Sequence, residues 1–153
     1  MIINKTKRPR WVENQIEMSE YVGQRKHSSQ MSESEKSLVI EKLKSVKAWF
    51  MSGHALDRIN EKGINATLDD VISTIYNANI IEYKIDYNSR SNRCDERVVL
   101  RSRAIANEEY NLNVVYSITN KSIVTVWLNH VEDKHDTLDW SIYSEGMKVF
   151  PLY

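Results

Sequence analysis

His54 and Arg58 stand four residues apart in a short apolar-polar stretch, a spacing that sets both side chains on one face of a helix. An imidazole takes and gives a proton near neutral pH, and a guanidinium is a permanent cationic fork, so the pair can converge on one phosphate. Arg97, Arg101 and Arg103 share one parity. On a strand that parity is one face, and three guanidinium groups there need solvent, carboxylates or a polyanion. A two-residue loop at Asn120-Lys121 would set Tyr116 opposite Thr125 and Val114 opposite Trp127. Tyr116, Thr125, Trp127 and Asn129 then share a face. Nearer the start, Lys5, Lys7, Arg8 and Arg10 precede Trp11, a pattern suited to backbone phosphates with an aromatic ring available for stacking. His130 and His135 flank Glu132, Asp133 and Asp136 at a spacing that matches no closed metal site, so no metal is expected. Each group also has a plain reading: a solvated arm, the outer face of a half-buried sheet, a polar exit loop.

The elements that must position these residues follow from hydrophobic period. Leu38, Val39, Leu43, Val46, Trp49 and Phe50 recur at helical spacing, with Ser34 or Ser37 as the cap of a helix running to about Phe50. His54 to Lys62 forms a second short helix stopped by Gly63, and Thr67 caps a third through Leu68, Val71, Ile72, Ile75 and Tyr76. After Asn79 the period falls to two. Ile81 to Tyr87, Arg97 to Ile105, Leu112 to Thr119 and Ser122 to His130 read as strands, with residues 88–96 as a polar loop. The register of the arginine strand is left open by the length of the turn at 106–111. Helices first and strands second predict an α+β fold, N-terminal helices on a C-terminal antiparallel sheet of about four strands. The serine-rich stretch 23–37 reads as a linker, which divides the chain into a basic arm and linker over 1–36 and a single α+β domain over 37–153.

The 153 residues carry 21 basic and 21 acidic side chains, graded from 10 basic against 6 acidic in residues 1–50 to 3 against 7 in residues 104–153. A single cysteine, Cys94, builds neither a disulfide framework nor a thiolate zinc site. No apolar run approaches the roughly 20 residues of a membrane span. These features predict a cytoplasmic protein with no membrane partner. Glycine-rich nucleotide loops, CxxC, HExxH and GxSxG are all missing, and no cofactor is expected.

The run SGHALDRINEKGINATLDDVISTI resembles the opening of a family of small bacterial and phage domains grouped with the barnase, EndoU, colicin and RelE type ribonucleases, and its helix-strand layout is similar to that of RegB. NVVYSITNKSIVTVWLNH resembles that family's paired strands. The resemblance covers roughly residues 50–130. It implies a RelE/barnase-like fold with His54 as the acid/base residue, Arg58 beside it, and Arg101, with Arg97 or Arg103, on the scissile phosphate. Thr125 would supply a hydroxyl, and Tyr116 a second proton donor or a stacking ring. Trp127, with Lys7, Arg8 and Arg10 of the arm, would contact RNA. Lys62 stands where the family carries an arginine before the glycine, and residues 1–50 have no counterpart in it.

The resemblance thus implies a metal-independent endoribonuclease, toxin-like or phage-type, that uses 2′-hydroxyl attack and leaves a 2′,3′-cyclic phosphate. Its partners would be RNA, as mRNA, tRNA or ribosome-associated, with a host or immunity protein as a further candidate. The alternative is a non-catalytic phage-type adaptor or inhibitor that grips a host protein or nucleic acid, with Trp11, Trp140, Tyr143, Phe150 and Tyr153 as anchors.

Overall fold

Strands that alternate apolar and polar side chains form when one face is to be buried, and here that alternation marks the long strands of the sheet. The structure, a computed structural model, describes residues 9–44, 50–59, 67–77, 79–105, 110–130, 140–144 and 147–150. Four helices, α1 (Arg10–Met18), α2 (Glu33–Lys44), α3 (Gly53–Ile59) and α4 (Leu68–Asn77), accompany six strands. The strands are β1 (Arg25–His27), β2 (Phe50–Met51), β3 (Ile80–Asn88), β4 (Arg93–Ile105), β5 (Tyr110–Ser117) and β6 (Ser122–His130). They form one sheet in the order β1-β3-β4-β5-β6-β2, antiparallel except for the parallel pairing of β2 with β6. The fold is α+β. No helix among the described residues is long and apolar enough to cross a membrane.

One face of the sheet carries Tyr83, Ile85, Val98, Leu100, Leu112, Val114, Tyr116, Ile123 and Val126. Onto it pack Met18 of α1, Val39 and Leu43 of α2, Ala55 of α3, and Val71 and Ile75 of α4. Met147, Val149 and Phe150 join the same core. Local chemistry fixes the helix starts. Thr67 and Asp70 exchange side-chain to backbone bonds at 3.2 and 2.8 Å, a capping box that begins α4 where the sequence predicts it. Ser32 and Glu35 form the same device for α2, so that helix begins before the expected Ser34 or Ser37.

The sheet has six strands rather than about four. Two short edge strands lie in stretches with no alternation to reveal them, and β4 begins at Arg93, inside the expected 88–96 loop. The stretch read as a linker is part of the body: β1 pairs with β3, and Lys26 and Met31 are buried.

Two buried lysines close the molecule. Lys26 Nζ donates to Glu35 at 2.9 Å and to the Met147 carbonyl at 2.9 Å, while the Val149 amide donates to Glu35 at 3.2 Å. Lys42 Nζ donates to Glu96 and to the Phe150 carbonyl. Tyr83 donates its hydroxyl hydrogen to Glu96 and accepts from the Phe150 amide at 3.3 Å. Burial pushes the Glu96 carboxyl above its ordinary value against the pull of Lys42 and Tyr83. At Glu35 burial also pushes up, but the Ser32 amide, Lys26 and the Val149 amide together carry its carboxyl below the ordinary 4.5.

Removing one member of a buried pair strands the other charge. We expect Lys42→Met to cost about 3–5 kcal/mol in urea unfolding, and Lys42→Met with Glu96→Leu to recover most of that loss. Because the folded Glu35 value is depressed, its stabilisation is present above pH 4.5 and is lost as pH falls through the lower folded value. Stability measured against pH should therefore fall less steeply at its acid limb in Glu35→Gln than in the wild type.

Candidate active site

The reverse face of the sheet is polar at its centre, and strand register assembles it. Arg101, Asn113 and Trp127 stand opposite one another across β4, β5 and β6. The next row on the same face is Val99, Val115 and Thr125, and beyond it Arg97 faces Ser117. Asn113 is fully buried, and neither atom of its carboxamide has a hydrogen-bond partner among the described residues. Leaving such a group unmet costs free energy.

Arg101 is held from two directions. Its backbone amide donates to the Asn79 carbonyl at 2.9 Å, and its Nε donates to Asn111 Oδ1 at 2.9 Å. Asn111 in turn donates to the Ser102 carbonyl at 3.0 Å, and the Ser102 hydroxyl accepts from the Leu112 amide at 2.8 Å. These bonds staple a bulge that inserts an extra residue after Arg101, since Arg101 pairs with Asn113 but Ala104 with Asn111. A pocket of about 300 Å³ opens beside it, lined by Asn77, Asn79, Arg101 and Ser102.

The edge next to Thr125 is built by β2. Phe50 and Met51 run parallel to Ser122 and Ile123, and the Ser52 amide donates to the Ile123 carbonyl at 2.9 Å. The Ser52 hydroxyl then caps α3, accepting from the Ala55 amide at 3.0 Å, and donates to the Val124 carbonyl at 2.7 Å. Val124 is the extra residue of a second bulge, between the pairs Val115 with Thr125 and Tyr116 with Ile123. One serine therefore ties the start of α3, with exposed His54 in its first turn, to the strand that bears Thr125. His54 makes no hydrogen bond, ion pair or ring contact among the described residues, and its ring faces solvent.

Several expectations need correction. The β5–β6 connection is a four-residue turn, 118–121, because Ile118 and Thr119 stay bonded to Glu96 of β4 and only Lys121 adopts positive φ. Both primed two-residue turns need positive φ at the first central position, which Asn120 does not provide. Tyr116 consequently pairs with Ile123 in the core, the Val124 bulge turns Thr125 to the opposite side, and burial pushes the Tyr116 phenol up to about 12. It is neither a proton donor at the site nor a stacking ring. Arg97 lies on the expected face, yet Asp95 at 2.6 Å and Asp86 at 3.3 Å already match its charge. Tyr143 and Phe150, which the sequence offers either as anchors or as groups that pack back on the body, are buried, whereas Trp11 is exposed.

Lys7, Arg8, Lys62, Gly63, His135 and Tyr153 lie outside the described residues, as do the side chains of Arg10, Arg58, Arg103, Asn129, His130 and Trp140. No cluster of metal-ligating side chains occurs among the described residues. Asn111, Asn113 and Ser52 went unnoticed in the sequence. Alternation of Asn111 and Asn113 with Leu112 and Val114 is the signal that reveals a polar face, because Asn is depleted inside strands. No family model, no curated protein and no solved structure matches the chain.

A purely structural Asn113 has a simple signature. Asn113→Leu should raise stability by about 1–3 kcal/mol by removing an unmet buried amide. If that carboxamide serves a ligand, the same stabilised variant should lose RNA binding or cleavage, as read by thermal melting beside an RNA assay.

Proposed function

We propose that this chain is a metal-independent endoribonuclease with a RelE/barnase-like arrangement, in which helices cover one face of the sheet and RNA lies across the other. The observation that carries the reading is the Ser52 bond to Val124, which fixes the His54 helix at the edge of a face bearing Thr125, Arg101, Asn113 and Trp127. In this reading His54 removes the proton of a 2′-hydroxyl, the oxygen attacks the adjacent phosphorus, and the bond to the 5′-oxygen breaks as an acid protonates it. Arg101 and the Thr125 hydroxyl donate to the non-bridging oxygens, where charge accumulates. Trp127 offers a ring for a splayed base. The substrate is RNA because the attacking hydroxyl belongs to ribose. Its zero net charge suits an RNA met as mRNA, as tRNA or on a ribosome rather than bound indiscriminately.

Incubation of the purified protein with total RNA in EDTA should yield cuts ending in 2′,3′-cyclic phosphates. His54→Ala should abolish them, and Arg101→Ala should slow them by about 100-fold. Intact RNA after incubation with and without ribosomes would overturn this reading.

A further inference from the structure

A second cationic and aromatic surface lies away from the proposed cleavage site, where α1 meets the β3–β4 turn. Gln15 of α1 is bonded to both backbone groups of Cys94, accepting from its amide at 2.7 Å and donating to its carbonyl at 2.9 Å. The helix is thereby locked to the root of the turn. Trp11 sits one helical turn earlier, 47% exposed, with the Arg93 guanidinium 5.5 Å from the centre of its ring. The turn is itself ordered: Asn88 Oδ1 accepts from the Arg90 amide at 3.0 Å and the Ser91 amide at 3.3 Å, and the Tyr87 hydroxyl donates to Asn92. It presents Arg90, Arg93 and a half-exposed Tyr87, with no acid between residues 87 and 94.

Only a ligand that is both anionic and flat uses all of these features. We infer that α1 and the β3–β4 turn form a docking surface for single-stranded RNA, on which Trp11, backed by Arg93, stacks a base while Arg90 and Arg93 meet the neighbouring phosphates. A guanidinium stacked on one face of an indole leaves the other face for a nucleobase, and stacking on an aromatic platform tolerates any base. The surface would hold substrate RNA without reading its sequence and leave sequence choice to the cleavage site. This inference rests on the reading of RNA as the substrate, although its site shares no residue with the chemistry.

Anisotropy titration of a labelled single-stranded RNA in EDTA, in a His54→Ala background so that the RNA survives, tests it. Trp11→Ala should weaken binding about tenfold, and Trp11→Phe should retain most of the affinity. Arg90→Gln and Arg93→Gln should each lower the salt dependence of binding by roughly one released ion. Unchanged affinity in Trp11→Ala and Arg93→Gln would overturn the inference even where cleavage by the wild type is established. An equal loss on single-stranded and duplex RNA would overturn the stacking role. Trp11-dependent binding without any cleavage would support the docking surface and sink the catalytic reading instead.

Discussion

Lys26 and Lys42 hold the structure together because a buried ammonium group must be met on several sides. Each meets one carboxylate and one backbone carbonyl of the 147–150 segment, and Tyr83 and the Val149 amide complete the two clusters. Transfer of such charges out of water is tolerated only where the partners are complete. Three parts of the chain are thus joined at one place: α2 with the segment that caps it, the centre of the sheet at Glu96, and residues 147–150. Because Glu96 faces inward, its neighbours Asp95 and Arg97 face the reverse side. The polar character of the reverse face follows from the same register that fills the core.

That reverse face is organised by irregularities rather than by regular pairing. A bulge after Arg101 and another at Val124 each add a residue on one strand, and in both places side chains of Asn, Ser or both replace the ladder bonds that are lost. Bulges re-aim side chains and sharpen local twist. They stand on either side of the row formed by Arg101, Asn113 and Trp127, so the face is given its shape at the points where the strands depart from period two.

The helices and long strands were legible because each buries a stripe of its own: α4 with its Thr67 cap, β3 with its alternating tyrosines and isoleucines, β6 with its β-branched run. The short edge strands were not. Arg25-Lys26-His27 and Phe50-Met51 carry no alternation, and they exist because β3 and β6 offer them backbone partners. The placement of Thr125 and Trp127 on one face was legible, whereas that of Tyr116 was not. The longer turn moves the pairing by two positions and leaves the faces unchanged; the extra residue Val124 is what turns Thr125 away from Tyr116 and Ile123, because a one-residue offset flips every side chain beyond it. Ion pairing of Arg97 with Asp86 and Asp95 depends on contacts across β3 and β4 that spacing along one strand does not contain.

The clamps also impose an order in time. Glu35 and Val149 are 114 positions apart, Lys42 and Phe150 are 108, and Lys26 and Met147 are 121. A chain made from its amino end therefore carries Lys26 of β1 and Lys42 of α2 well past their carboxylate partners before the Met147 and Phe150 carbonyls that complete their shells exist. Contacts of such long separation are slow to form, since the intervening chain must be closed into a loop first. The nascent protein stays incompletely packed until residues 147–150 have been made.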